Sequence, residues 1–282
     1  MLSILIVNWN TCDLLDACLQ SLMDDPIGRK SEIIVVDNAS TDGSATLVRD
    51  KFPTVTLVDN DANVGYARGN NQAMDLATQE YFLLLNPDTE VTDGALERML
   101  HFMTNYPGVG VAGCRLVHPD GAVQRSVRLF PTPDTVIYEA LGLSRLFPRS
   151  KLFGKYRMGW WSYDDLREVD QPMASCVMLR HRAVEEVGGM DEQFPIFFND
   201  VDLCYRLKKH GWRIYFVPDA TVIHHGGSST KQVRRDMIAE SHQSMLRFYE
   251  KHYRGHVHRL SYVLAVWLIR LGQWARLRGA HT

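Results

Sequence analysis

Short, almost uninterrupted apolar runs alternate with helical patterns through the first hundred residues. The apolar runs lie at residues 2–7, 33–36, 55–58 and 81–85. The helical patterns lie at residues 13–23, 44–51 and about 69–78. Strands that read as continuous Ile, Val and Leu are buried on both faces, and a helix between two of them makes a parallel connection. The alternation predicts a Rossmann-like α/β fold, with a mostly parallel central sheet and helices on both faces.

Polar side chains directly follow three of these predicted strands. Asn8 comes after the first strand, Asp37 after the second, and Asn86 and Asp88 after the fourth. In doubly wound sheets, ligands bind in the crevice outside the carboxyl ends of the strands. A random placement would have spread these residues over both ends of the sheet. The sequence therefore predicts one ligand crevice at this edge.

Length and composition are those of an ordinary globular protein. The chain has 282 residues, of which 45% are hydrophobic and 23% charged, enough for one large domain. Its five scattered cysteines are odd in number and lack CxxC spacing, which argues against a disulfide framework or a structural zinc site and favours a reducing cytosol. The start, MLSILIVNWN, lacks the basic segment of a signal peptide and predicts a first strand.

Charge is distributed unevenly along the chain. Residues 1–230 carry 21 Lys and Arg against 30 Asp and Glu, a balance of −9, whereas residues 231–282 carry 10 against 3, a balance of +7. Two interpretations of this basic tail stay open: a solvated basic helix pair, or a surface that meets an anionic partner. Nucleic-acid binding is not predicted, because the tail has no recognised motif for it.

The regular alternation stops at residues 121–170, which are rich in Pro, Arg and aromatic side chains. This stretch predicts a partly helical excursion that shapes a second binding surface. Beyond it we predict a strand at residues 174–180, helices at 182–187 and from near Asp200, a strand at 213–217, the loop HHGGSS at 224–229, and helix from about residue 231.

The motif IIVVDNASTDGS, residues 33–44, contains turn and helix-cap residues and one acid that needs another explanation. Ser40, Asp42 and Gly43 are explained by the turn and the cap of the following helix. Asp37 ends an apolar strand and has no such role. A carboxylate there can accept a hydrogen bond from the ring N–H of a pyrimidine.

The motif NVGYARGNN, residues 63–71, places Asn63 and Gly65 before a predicted helix that contains Asn70. Glycine lets the backbone approach a ligand closely, and a helix N-terminus favours phosphate. Asn and Gly also mark ordinary turns, so the motif gains its meaning from its place between two strands.

The motif LLLNPDTEV, residues 83–91, puts Asp88 after a buried strand, where Pro87 fixes the turn. Mg²⁺ and Mn²⁺ take oxygen ligands and keep substrate phosphates as further ligands. One carboxylate that bridges through a metal to a diphosphate is therefore reasonable. The alternative is that Asp88 and Glu90 form an exposed turn.

The motif FFNDVDLCYRL, residues 197–207, places Asp200 at a helix start beside two Phe residues and near Pro195. Helix capping by Asn199 or Asp200 is one explanation. The apolar neighbours favour another, a partly desolvated carboxylate that acts as a general base toward a hydroxyl group.

Taken in order, these motifs resemble family 2 glycosyltransferases of the GT-A fold, and particularly the bacterial rhamnosyltransferase-like branch. The resemblance covers roughly residues 1–230 and implies a glycosyltransferase domain there. Its nucleotide-binding half is residues 1–115 and its acceptor-binding half is residues 116–230. Residues 231–282 are expected to form a basic helical extension. The resemblance implies an inverting enzyme that moves a sugar, rhamnose first, from a nucleoside-diphosphate donor to a glycan or lipid-linked saccharide in cell-wall or surface polysaccharide synthesis.

The resemblance also assigns residues by their motif positions. It implies nucleotide contacts from Asn8, Asp37, Asn63, Gly65, Asn70 and Asn86. Asp88 is the implied ligand of Mg²⁺ or Mn²⁺, with His224, first in an HxGG pattern, as a further ligand. Asp200 is the implied catalytic base, and residues 174–176 are the implied small-residue strand facing the donor sugar. Asn86 and Asn199 stand where the family usually has acids, so metal ligation falls mainly on Asp88.

The tail has two features that suit a peripheral membrane contact, its length and its flanking residues. The run LSYVLAVWLIRL, residues 260–271, is shorter than the roughly 20 residues that span a bilayer. Its flanking Arg and Trp residues suit a helix that lies in the membrane interface on the cytoplasmic face, through residues 255–278. A helix packed on the domain or on a second subunit, as in a homodimer, is the alternative.

Other readings of the whole chain also remain open. A nucleotidyltransferase would also use an α/β sheet and a metal, but NWNTCD after the first strand is not a phosphate loop. A non-catalytic nucleotide-sugar-binding domain is the reading of a different class. Among donors, dTDP-rhamnose comes first and UDP-linked sugars, such as a hexose or galactofuranose, come next.

Overall fold

The computed structural model describes residues 1–226 and 234–279. Its first part has the predicted alternation. The strands are β1 (Leu2–Asn8), β2 (Glu32–Asp37), β3 (Thr56–Asp59) and β4 (Tyr81–Leu85), and the helices are α1 (Cys12–Asp24), α2 (Ser44–Lys51) and α3 (Tyr66–Leu76). A short 3₁₀ helix, Gly28–Lys30, precedes β2.

The second part mixes short and long elements. Its strands are β5 (Thr89–Val91), β6 (Val109–Val117), β7 (Val127–Arg128), β8 (Arg167–Glu168), β9 (Gln171–Pro172), β10 (Cys176–Arg180) and β11 (Arg213–His224). Its helices are α4 (Ala95–Asn105), α5 (Pro133–Ala140), α6 (Leu143–Leu146), α7 (His181–Val187), α8 (Asn199–Lys209), α9 (Arg234–His252) and α10 (Arg259–Gly279). Residues 231–233 of the predicted last helical region lie outside the described residues.

The central sheet runs in the order β3-β2-β1-β4-β10-β6-β11-β5, with β8 paired to β11. Strands β1 to β4, β6 and β11 point in one direction, and β5, β8 and β10 in the other. The predicted α/β architecture is therefore confirmed, and most strands share one direction, but the sheet is mixed because β10 lies antiparallel between β4 and β6. The carboxyl ends of β1, β2 and β4 open on one edge, as the polar residues after them had indicated.

Both faces of the sheet are covered, which explains the uninterrupted apolar runs. In β1, Ile4 and Ile6 pack with Leu15 of α1 on one face. Leu5 and Val7 point to the other face and pack with Ala73 of α3. Successive side chains of a strand point to opposite faces, so a strand buried on both sides needs apolar residues at every position.

The predicted excursion, residues 121–170, contains α5, α6, β7 and β8. Strand β7 pairs with β9, which directly follows the excursion. The C-terminal helices pack on this region. Phe248 and Tyr249 of α9 and Ala265 of α10 lie in one apolar cluster with Val136 of α5 and Val201 of α8. One face of α10 is thus packed on the domain. No helix of the described residues is both long and apolar enough to cross a bilayer.

Candidate active site

A cavity of about 430 Å³ opens at the carboxyl edge of the parallel strands. That volume is in the range of small-molecule sites. Its lining includes most of the residues predicted to bind donor, metal or acceptor hydroxyl: Asn8, Asn63, Gly65, Asn86, Asp88, Asp200 and His224. Asp88 and Asp200 lie far apart in the sequence, and the fold brings both to this cavity. Ala174 and Ser175, from the predicted small-residue strand, also line it.

Strand pairing brings Asp88 and His224 together. Strand β5 begins directly after Asp88 and runs antiparallel to β11, with Thr89 opposite His224. The His225 N–H donates to the Asp88 carbonyl at 2.9 Å. As a result, Nε2 of His224 lies 3.3 Å from Oδ1 of Asp88, and both side chains are more than nine-tenths buried.

Gln124 fixes the orientation of the His224 ring, a role that the sequence did not indicate. Its Nε2 donates to the His224 carbonyl (2.5 Å) and contacts Nδ1 of His118 (2.9 Å). Its Oε1 lies 2.8 Å from Nδ1 of His224. An amide oxygen only accepts hydrogen bonds, so Nδ1 of His224 is the donor and a neutral ring has its lone pair on Nε2, facing Asp88.

A carboxylate oxygen and an imidazole lone pair that converge at the cavity wall are suitable ligands for a divalent cation. Within the described residues, Asp88 and His224 form a pair rather than a group of three metal-ligating side chains. Mg²⁺ and Mn²⁺ commonly complete their coordination with substrate phosphates and water. The two residues therefore fit a metal that is shared with a bound diphosphate.

Asp200 lies in the first turn of α8, after Phe198, whose φ of 67° is left-handed. The Val201 N–H donates to its Oδ1 at 2.8 Å, and the Ala174 N–H lies 3.4 Å from its Oδ2. Burial raises the pKa of the Asp200 carboxyl, and the N–H groups of Val201 and Ala174 offset only part of this. A partly desolvated carboxylate was the prediction from its apolar neighbours.

Asp202, two residues later, points away from the cavity into an ion-pair network. Its carboxylate contacts Arg206 (2.6 Å), Lys251 (2.7 Å) and His252 (2.7 Å). Burial alone would raise the pKa of Asp202, but the contacts with His252, Arg206 and Lys251 outweigh it and lower the pKa to about 2. Two neighbouring acids of one helix thus have opposite environments, and Asp202 ties α8 to α9.

Two predicted nucleotide contacts lie behind the cavity wall. Asp37 is buried and accepts hydrogen bonds from Asn8 (2.7 Å) and from the Ser40 N–H (2.8 Å). Asn70 is buried and donates to the Tyr66 carbonyl at 2.8 Å. In this structure Asp37 supports Asn8, which does line the cavity, and Asn70 supports the first turn of α3.

The loop before α3 contacts the segment that leads to Asp200. Asn63 accepts from the Gly65 N–H at 3.0 Å. The Tyr66 and Ala67 N–H groups both donate to the Pro195 carbonyl, at 2.7 and 3.1 Å. Pro195 therefore occupies the N-terminus of α3 and joins the two sides of the cavity.

Asn86 and the histidine motif complete the lining. Nδ2 of Asn86 donates to the Ser175 hydroxyl at 3.1 Å, which joins the end of β4 to the strand beside it. His224 ends β11, and His225 pairs with Glu90 at 2.6 Å. Glu90 is thus paired rather than part of a simple exposed turn. The rest of the predicted loop, residues 227–229, lies outside the described residues.

Solved structures share this architecture. Mannosyltransferase PcManGT from Pyrobaculum calidifontis, solved in complex with GDP-Man and Mn²⁺, has a TM-score of 0.62 at 17% identity, over 99% of this chain and 72% of that one. S. aureus TarS 1-349 has a TM-score of 0.56 at 16% identity, over 98% and 78%. The fold is that of the GT-A glycosyltransferases.

Sequence comparison gives the family. The model described as glycosyl transferase family 2 matches residues 3–186, and that of glycosyl transferase family group 2 matches residues 159–278. The first match spans well over half of the chain, which therefore belongs to glycosyl transferase family 2 and is a glycosyltransferase.

Relatives place it in the rhamnosyltransferase-like branch. It is 29% identical over 242 residues to the N-acetylglucosaminyl-diphospho-decaprenol L-rhamnosyltransferase of Mycobacterium tuberculosis H37Rv, over 80% of this chain and 77% of that protein. Rhamnosyltransferase WbbL of Escherichia coli K12 is 22% identical over 203 residues, or 68% of this chain and 67% of that protein.

Proposed function

We propose that the chain is an inverting glycosyltransferase that moves a sugar from a nucleoside diphosphate to a hydroxyl of a glycan or lipid-linked saccharide, in cell-wall or surface polysaccharide synthesis. The observation that supports this best is that Asp88 and Asp200 line the same cavity. A displacement with inversion needs only one base, on the acceptor side. Asp200 is the candidate for it, because the neighbouring Asp202 forms ion pairs with Lys251 and His252 instead.

Rhamnose linked to dTDP is the proposed donor, supported by the rhamnosyltransferase names of two relatives. A UDP-linked hexose or galactofuranose is the alternative. One of those relatives is named for an acceptor that carries a diphosphate, N-acetylglucosaminyl-diphospho-decaprenol. A lipid-linked saccharide is accordingly the first acceptor to test.

In the proposed reaction, Asp200 takes the proton of the acceptor hydroxyl as its oxygen attacks the anomeric carbon. The bond from that carbon to the diphosphate breaks on the opposite face, and its electron pair leaves with the diphosphate oxygen. Asp88 and His224 would hold the divalent cation, which supplies positive charge for the leaving diphosphate when bound. The raised pKa of Asp200 makes its carboxylate a stronger base than an exposed one.

We further propose that the protein acts in the cytoplasm, in peripheral contact with the inner membrane through residues 255–278. One face of α10 is packed on the domain, and the other exposes apolar residues, among them Trp267 and Trp274. A homodimer through the same face is the other possibility. The division into residues 1–115, 116–230 and 231–282 remains our proposal for the organisation of the chain.

A donor screen followed by transfer assays tests the proposal. We expect dTDP or dTDP-rhamnose to raise the melting temperature, and Mn²⁺ to increase this rise. Asp200→Asn should lower the transfer rate by about 10²-fold or more, the usual contribution of a general base. Asp219→Asn, an exposed acid on β11, is the matched control.

Two outcomes would contradict the proposal. If no pyrimidine nucleotide stabilises the protein, the donor assignment is wrong. If the wild type and Asp200→Asn transfer sugar equally fast, the assignment of the base is wrong. Donor binding without any transfer by the wild type would favour the non-catalytic nucleotide-sugar-binding domain.

A further inference from the structure

A second cavity, of about 200 Å³, adjoins the first. Met173, Phe197, Phe198 and Asp200 line both cavities. Asp88 and His224 line only the larger one. The smaller cavity therefore lies on the other side of Asp200 from the proposed metal and leaving group. In a displacement at the anomeric carbon, the acceptor approaches from that side.

Two arginines distinguish the smaller cavity from the larger one. Arg125 and Arg128, just before and at the end of β7, both line it. Within the described residues neither forms an ion pair with an acid. Nη1 of Arg128 donates to the carbonyls of Arg125 (2.6 Å) and Val127 (2.7 Å), which fixes the guanidinium. The Arg128 side chain also contacts the Tyr163 hydroxyl. A guanidinium has five N–H donors, and those not used in these contacts can reach a ligand.

Hydroxyl groups complete the lining of the smaller cavity. Ser126 lines the cavity, and its Oγ is shielded from solvent and has no hydrogen-bond partner among the described residues. Burial raises the pKa of Tyr156. The charge of Arg128 lowers this pKa in part and the charge of Asp200 raises it further, so the phenol lies close enough to interact with both. Ser241 of α9 lines the same space. Guanidinium and hydroxyl donors together are typical of a site for an oxyanion.

We propose that this cavity binds the phosphate or diphosphate group of the acceptor, with Arg125 and Arg128 as its specificity-determining residues. The inference rests on the proposed transfer reaction and names the class of acceptor: a saccharide that carries a phosphate ester close to the reacting hydroxyl. Guanidinium groups bind phosphate oxygens in a bidentate way and stay charged at every physiological pH. The arginines also offset the repulsion between Asp200 and an anionic acceptor.

Calorimetric titration of the full chain with two probes tests this without any donor. One probe is N-acetylglucosamine joined through a diphosphate to a short alkyl chain. The other is the same sugar and chain joined by a neutral glycosidic bond. The buffer contains EDTA, so no divalent cation can hold the diphosphate at Asp88. We expect the wild type to bind the charged probe about tenfold more tightly or better, the usual value of charged hydrogen bonds.

The double variant Arg125→Gln, Arg128→Gln should lose this preference for the charged probe while it binds the neutral probe as the wild type does. Arg29→Gln, at an exposed arginine of the 3₁₀ turn, should keep the preference. If the double variant does not fold, Arg128→Gln alone and Arg128→Lys replace it, and lysine should restore part of the preference.

Equal affinity of the wild type for both probes would overturn the proposal, as would an undiminished preference in the folded arginine variants. The donor plays no part in these titrations. A preference that depends on the arginines, combined with no sugar transfer from any nucleotide, would count against the proposed function and leave the anion site standing.

Discussion

At the scale of single residues, the buried position of Asp200 favours its role as a base and lowers the stability of the folded protein when the carboxyl is ionised. Burial raises the pKa of its carboxyl above the ordinary value of an aspartate. The folded protein therefore holds this proton more tightly than the unfolded chain does. The protonated Asp200 carboxyl therefore contributes to the stability of the fold. This contribution is complete at pH values below the pKa of Asp200 in the unfolded chain, and it is lost as the pH rises through the pKa of Asp200 in the folded protein. Catalysis needs the carboxylate, so transfer should rise over the pH range in which this stability is lost.

We therefore expect Asp200→Asn to melt at a higher temperature than the wild type at neutral pH, because the variant has no charge to desolvate. Below pH of about 4, where an aspartate is protonated even in the unfolded chain, the difference should vanish. Melting temperatures measured from pH 3.5 to 8 check this, with Asp219→Asn as a control that follows the wild type. A lower melting temperature of Asp200→Asn at neutral pH would mean that the carboxylate stabilises the fold.

Gln124 acts through another residue, since its Oε1 holds the Nδ1 side of His224. Partners of this kind commonly contribute 10- to 100-fold to metal affinity or activity. We expect Gln124→Leu to raise the Mn²⁺ concentration for half-maximal transfer by roughly tenfold. His118→Ala removes the other side-chain partner of Gln124 and should change this concentration much less. An unchanged Mn²⁺ requirement in Gln124→Leu would argue against the positioning role.

At the scale of elements, the first four parallel strands were predictable, whereas β6 was not predicted and β11 was predicted only as far as Val217. Strand β6 is interrupted by Gly110 and Gly113, which weaken its apolar pattern. A Cβ at these positions would lie 2.9 Å from Trp212 and 2.4 Å from Pro172, so close packing requires glycine there. Strand β11 was predicted to end at Val217. It continues to His224, because its pairing with β6 shifts register between Val217 and Thr221.

The candidate site was likewise predictable where its residues belong to regular elements, and not where long-range contacts place them. Asp88 follows β4, Asp200 lies in the first turn of α8, and His224 ends β11. Their motifs therefore indicated that they share one crevice. Gln124 lies in irregular chain after β6, and its contact with His224 spans most of the second half of the fold. No local pattern marks such a residue. The burial of Asp37 behind Asn8 likewise depends on the pairing of β1 with β2.

The contact between the α3 loop and Pro195 leads to a prediction about Gly65. Its φ of +87° and ψ of 168° are strained for any other residue, and an added Cβ would lie 3.0 Å from the Pro195 oxygen. Gly65→Ala should cost about 1–3 kcal/mol of stability and weaken nucleotide binding. Gly211→Ala, at φ +88° with open space around the Cβ, should destabilise less and leave nucleotide affinity intact. Thermal melts and nucleotide titrations check both, and equal affinities of the two variants would contradict the expectation.

At the scale of the whole molecule, α10 presents two different faces. Ala265 and Ile269 are buried, and the helix packs on α5 and α9. The opposite stripe is exposed and consists of Leu260, Val263, Leu264, Trp267, Leu271 and Trp274. More exposed apolar residues follow directly after α5, at Leu141, Leu146, Phe147 and Leu152. Basic residues accompany both groups, which suits an anionic bilayer surface better than bulk water.

We expect the wild type to cosediment with vesicles that contain phosphatidylglycerol, less with purely zwitterionic vesicles, and less in high salt, which screens the arginines. Trp267→Ser and Trp274→Ser should each weaken vesicle binding by roughly tenfold, because each ring removes apolar area from water on insertion. Tyr106→Ser, at an exposed aromatic residue beyond α4, is the matched control and should bind as the wild type does. If both Trp variants leave vesicle binding unchanged but convert a dimer to a monomer in light scattering, the exposed stripe binds a second copy of the chain instead. That outcome would contradict the proposed membrane contact, but it would not bear on the proposed role of Asp200 in sugar transfer.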